Sequence, residues 1–104
     1  MKIAIYSRVI NTSDVEVIQQ LFDCLFKYKL EPVIHNEYFE LLKNKIMFKK
    51  QPALFESHND IKNKAECMLS IGGDGTMLDT VALVRNSGIP IVGVNVGRLG
   101  FLAG

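Results

Sequence analysis

No apolar run in the sequence approaches the roughly 18 residues that a membrane-crossing helix needs. The opening "MKIAIYSR" has one lysine and a short apolar run, a poor match to a secretory leader. There is also little charge of one sign. The formal net charge is +1, which excludes a strongly basic nucleic-acid module as the default reading and leaves no acidic tail to explain. Cysteine is scarce. Cys24 and Cys67 lie far apart in apolar settings and are expected to be free thiols in a reducing cytoplasm. His35 and His58 show no metal-ligand spacing. No repeat or low-complexity segment occurs.

The 104 residues that remain are 48% apolar and 22% charged, ordinary values for one globular domain with a real core. "KIAIYS" reads as a buried first strand. Ser13 and Glu16 have capping-box spacing. Val17, Ile18, Leu21, Leu25 and Tyr28 then follow at helical intervals, so a helix is predicted to about Lys29. "EPVIHN" is a second strand, and "EYFELLKNKIMFKK" is predicted to be helical, with lysines at the end where cations suit the helix dipole. The polar stretch 51–64 reads as a loop, or as a short helix near "HNDIKNK". "ECMLSI" is the third strand. Met77, Leu78, Val81, Leu83 and Val84 form a helix that begins near Thr76 and is ended by "NSG". "IPIVGVN" is the fourth strand, and "VGRLGFLAG" a last glycine-rich loop.

Strands alternating with helices imply an α/β fold, a parallel sheet with helices on its faces and right-handed crossovers. Ligands of such sheets sit beyond the carboxyl ends of the strands, where both glycine loops should open. The chain reads as the front of a longer protein or an excised domain.

The stretch "MLSIGGDGTMLDT" raises a question of charge. Gly72, Gly73 and Gly75 remove side chains that would block a ligand, and Gly73 and Gly75 are expected to adopt backbone conformations awkward for other residues. The following helix aims N–H groups into the same space, which favours an anion. Asp74 should repel one. Dinucleotide and P-loop signatures do not explain the loop: Leu78 stands where the former needs a small residue, and neither glycine loop contains a lysine. An aspartate beside phosphates can hold Mg²⁺, accept a proton from an attacking hydroxyl, or merely cap the helix. Arg8 and Arg98 lie near the ligand edge and read as surface or structural arginines. Asp79 suits the first helical turn.

"GGDGT" followed by "GVNVGRLGFL" resembles the NAD kinase family, whose members carry a G-G-D-G loop and then G-[IV]-N-x-G-x-L-G-F-L one β–α unit later. The layout of the whole chain fits, although the specific motifs occupy only the last third. The resemblance implies a Rossmann-like domain and phosphoryl transfer from ATP or polyphosphate to the 2′-hydroxyl of the adenosine ribose of NAD, giving NADP. It also implies a divalent metal, Mg²⁺ first. On the same resemblance Asp74 activates the hydroxyl and Gly75 lies against NAD. Gly72 and Gly73 help form the phosphate loop, Phe101 lines the adenine end of the site, and Asn95 orders its loop. No metal ligand is assigned. The family's later Asn-Glu motif and β-rich C-terminal domain are absent from these residues, so the isolated chain is expected to be inactive. The full-length enzyme is expected to be a cytoplasmic homo-oligomer whose partners are small-molecule nucleotides, with no nucleic acid or membrane. The alternatives are a non-catalytic nucleotide-binding module, or a lipid or sugar kinase sharing the first motif. A sugar kinase of the phosphofructokinase type would want a glycine after its first strand, where "SRVINTSD" has none. Lipid kinases lack the second motif.

Overall fold

The computed structural model describes residues 1–85 and 87–96, and of Asp74 the backbone alone. The elements run β1 (Lys2–Tyr6), a 3₁₀ turn (Thr12–Asp14), α1 (Val15–Lys27), β2 (Glu31–His35), α2 (Asn36–Leu42), β3 (Ala53–Phe55), α3 (His58–Ile61), β4 (Cys67–Ile71), α4 (Asp74–Val84) and β5 (Ile91–Val94). The five strands form one sheet, every neighbouring pair parallel, in the order β3-β2-β1-β4-β5.

Successive side chains of a strand point to opposite faces, so a sheet buried on both sides needs apolar residues at consecutive positions. β1 does this. Ile3 and Ile5 pack with Ile18, Phe22 and Leu25 of α1 and with Tyr38 and Leu42 of α2. Ala4 and Tyr6 face the other way, toward Ile61, Met68 and Val84. The result is three layers, with α1 and α2 on one face of the sheet and α3 and α4 on the other. The order of the strands puts β2 and β4 on either side of β1, so the chain leaves β1 in opposite directions. That divergence opens a crevice at the carboxyl edge between β1 and β4.

The four sequence-predicted strands form. The fifth, β3, lies in the stretch read as irregular. It has three residues at a sheet edge, pairs with β2 alone and leaves Leu54 exposed, so its ladder and the one buried side chain, Phe55, hold it. The helix expected through residue 50 stops at Leu42. Beyond it the backbone of Met47 is clamped by the Gln19 amide, with both bonds at 2.8 Å, and Phe48 packs edge-on against Phe22. Tertiary contacts therefore override the helical tendency of this lysine-rich run.

The Ser13–Glu16 capping box does not form. A 3₁₀ turn takes up Ser13, and the N-cap of α1 is Asp14, with no side-chain cap bond. Asp60 instead closes the start of α3 by accepting the N–H groups of Glu56 and Ser57, and these bonds lower its pKa.

The end of α1 shows how the chain reaches β2. Leu30 N–H bonds to Leu25 carbonyl at 2.8 Å and Lys29 N–H to Phe26 carbonyl at 3.0 Å, the pair of bonds that defines a Schellman turn. Lys29 takes the left-handed position at φ 60° that glycine usually fills. Leu30 packs beside Leu25 in the core, so the turn is held from both sides.

Candidate functional site

α4 follows β4 with only Gly72 and Gly73 between them. It is fixed against the sheet by buried hydroxyls. Thr80 Oγ bonds to the Thr76 carbonyl at 2.7 Å and to Ser70 Oγ of β4 at 2.9 Å, and all three residues are buried. The helix therefore presents its N-terminal end rigidly at the carboxyl edge.

The glycines of the loop do different work. Gly72 has φ +138°, a region L-residues rarely adopt, and its N–H bonds to Val94 carbonyl of β5 at 2.9 Å. A Cβ there would sit 2.8 Å from Thr76 Oγ. Gly73 is the N-cap of α4 in extended backbone (φ −100°, ψ −157°) with open space where its Cβ would be. Gly75 lies in the first helical turn without a positive φ. Its constraint is a neighbour, because a Cβ would lie 2.7 Å from Arg8 Nη1. The expectation for Gly73 and Gly75 thus fails on conformation. Gly72 carries the strained turn, and Gly75 is crowded rather than strained. The helix also begins two residues before Thr76, at Asp74, so the N-cap position belongs to Gly73.

A cleft of about 240 Å³ opens at the β1–β4 divergence. Gly72, Gly73 and Thr76 form one wall, Ser7, Val9 and Asn11 another, and Asn95 with Val96 a third. The cleft thus brings together two of the predicted site glycines with Asn95. Gly75 stands on the opposite flank of the loop. The side chain of Asp74, and Arg98 and Phe101, lie outside the described residues. A second, larger cavity of about 410 Å³ lies at the amino edge among Lys2, Lys29, Pro32 and Pro52. It has no glycine loop, and the helices present their C-terminal ends there. The carboxyl-edge cleft is therefore the better place for an anion, despite its smaller volume.

On the Gly75 flank sits a cluster that sequence reading did not assemble. Arg8 holds Asp79 bidentately, Nε to Oδ2 at 2.9 Å and Nη2 to Oδ1 at 3.0 Å. The Tyr6 hydroxyl donates to Asp79 Oδ2 at 2.9 Å. Hydrogen bonds from Arg8 and then Tyr6 hold the Asp79 carboxyl below the usual carboxylate range. Burial, then the bond to Asp79, pushes the Tyr6 phenol up to about 12. The cluster therefore keeps one protonation state across neutral pH: neutral tyrosine, carboxylate and guanidinium. The available signal was that Arg8 and Asp79 both belong at the same sheet edge.

His35 is a core residue, stacked edge-on between Tyr6 and Phe55 and accepting Glu37 N–H at Nδ1. Cys24 and Cys67 are free and partly buried, and burial raises the Cys67 thiol. Among the described residues no three carboxylate, histidine or cysteine side chains converge as a metal site. These side chains alone do not fit a protein-built cage. Mg²⁺ commonly arrives largely through substrate phosphates rather than a dedicated protein cage.

Five parallel strands, a switch point and a glycine loop at that point define the doubly wound α/β class. The model of the ATP-NAD kinase N-terminal domain matches residues 5–104, so the chain belongs to the NAD kinase family. Relatives agree. The NAD kinase of Flavobacterium johnsoniae is 43% identical over 103 residues, covering 99% of this chain and 35% of that protein. The NAD kinase of Bacteroides fragilis is 38% identical over 104 residues, with the same coverage. The chain thus spans about a third of the length of the curated relatives it matches. Among solved structures, that of yeast NADH kinase complexed with NADH superposes with TM-score 0.67 at 18% identity, over 89% of this chain and 30% of that one. That likeness is one of fold.

Proposed function

We propose that this chain is the N-terminal α/β nucleotide-binding domain of a longer NAD kinase, which transfers a phosphoryl group to the 2′-hydroxyl of the adenosine ribose of NAD and releases NADP. ATP or polyphosphate is the donor and Mg²⁺ the accompanying ion. The protein acts as a cytoplasmic homo-oligomer on small-molecule nucleotides. The observation that supports this best is family membership over nearly the whole chain, together with a glycine loop and helix N-terminus at the switch point.

In this reading Gly73 leaves open space for a phosphate and the helix N-terminus attracts it. Gly72 sets the turn. Asp74, the first residue of α4, takes the proton of the attacking hydroxyl. Gly75 borders the NAD, and Phe101 lines its adenine end.

The test is NADP formation from NAD, ATP and Mg²⁺ by the full-length protein, read with an NADP-specific dehydrogenase, beside the 104-residue chain alone. The full-length protein should form NADP and the chain alone should not. Absence of NADP with the full-length protein, using ATP or polyphosphate, would refute the reading.

A further inference from the structure

Neither glycine loop contains a lysine. Phosphates bound at the first loop can be met by backbone N–H groups, by the accompanying Mg²⁺, and by a cationic side chain at the same edge. Topology limits where such a side chain comes from. Because all strands are parallel, helix C-termini and strand starts share the amino edge. Among the described residues, every lysine and arginine but one stands at a strand start, at or just past a helix C-terminus, or in the run-in to a strand. Lys2, Lys27, Lys43, Lys50, Lys62 and Arg85 illustrate this. The exception is Arg8, which follows β1 at the carboxyl edge.

Arg8 is also held in place. A guanidinium has five N–H donors. Asp79 takes one from Nε and one from Nη2, which leaves Nη1 entire. Nη1 is the atom that lies 2.7 Å from where a Gly75 side chain would begin, against the first turn of α4. The two bonds to Asp79 do not engage it. The guanidinium side chain is 55% exposed, so a ligand can reach it.

We infer that Arg8 contacts the phosphates of a nucleotide bound across the glycine loop, and that Asp79 and Tyr6 are positioning residues that aim its guanidinium. The inference rests on the functional reading above. It also explains the third glycine, since any side chain at position 75 would displace the arginine. Phosphoryl transfer brings two nucleotides to one loop, and the cleft and the Arg8 flank lie on its two sides.

Calorimetric titration of the full-length protein with ATP and with NAD separately tests this. Arg8→Met should weaken binding of one of the two on the order of tenfold or more, with the thermal melt little changed. Loss confined to ATP assigns the donor's phosphates, and loss confined to NAD the acceptor's. Lys62→Met, the same charge change at the amino edge, should leave both affinities intact. Asp79→Asn should weaken the same nucleotide and add nothing in the Arg8→Met background; additive effects would overturn the positioning role. If Arg8→Met does not fold, Arg8→Gln, which keeps a donor for Asp79 and loses the charge, carries the same test. Wild-type binding with unchanged affinity in the arginine variant overturns the inference alone. A wild-type protein that binds neither nucleotide overturns the functional reading with it.

Discussion

Asp74→Asn in the full-length protein should fold, bind nucleotide and turn over about 10²-fold more slowly, or worse. The substitution keeps shape and removes the capacity to take a proton. Its structural cost is bounded by position. Asp74 is the first residue of α4 and Gly73 is the N-cap, so the change gives up only a favourable charge–dipole interaction of about 0.3–1 kcal/mol. A steady-state comparison across Mg²⁺ concentrations, beside a thermal melt, separates the roles. Unchanged turnover would remove the catalytic assignment. Recovery at high Mg²⁺ would make Asp74 a metal ligand. A stable, metal-insensitive and nearly inactive variant is the expected result, because in the proposed reading the glycine loop receives phosphate and a carboxylate there is otherwise a liability.

The second large effect divides the loop itself. Gly72→Ala should destabilise the full-length protein by about 2–4 kcal/mol, because it adds backbone strain and an overpacked contact. The φ of +138° is unfavourable for alanine, and Thr76, which is buried, blocks the new methyl at 2.8 Å. Rotating the Thr76 side chain would not clear the clash fully, since Thr76 Cβ lies 3.3 Å from the same point. Gly73→Ala meets open space at φ −100° and should change stability by less than about 0.5 kcal/mol. The methyl at position 73 enters the cleft instead, so that variant should lose nucleotide affinity while keeping its melt. Chemical denaturation of both variants checks the contrast. Equal destabilisation would mean that the loop is only a turn.

The architecture was legible because its signals are local. β1, β2, β4 and β5 are short β-branched or apolar runs, and α1 has a clear apolar stripe. β3 was hidden because an edge strand of three residues with an exposed leucine takes its order from a neighbour. The end of α2 was hidden because Gln19, far away in the chain, holds Met47. The site divides in the same way. Gly72, Gly73 and Gly75 announce a loop by composition, but that Gly72 carries the strained turn and Gly75 is crowded depends on Thr76, and on Val94 and Arg8, which come from elsewhere in the fold. The Tyr6–Arg8–Asp79 cluster joins residues 71 and 73 positions apart, so only the adjacency of β1 and β4 brings it together.

The central claim is that nucleotide is received at the carboxyl edge, on the loop between β4 and α4. The larger amino-edge cavity, with Lys2, Lys29 and Lys50 around it, is the rival. Hydrogen exchange of the full-length protein with and without saturating NAD, read by mass spectrometry on peptides from both edges, separates them. NAD should slow exchange in peptides spanning 70–78 and leave those spanning 29–33 and 50–54 unchanged. Protection confined to the amino-edge peptides, with none at 70–78, would contradict the account.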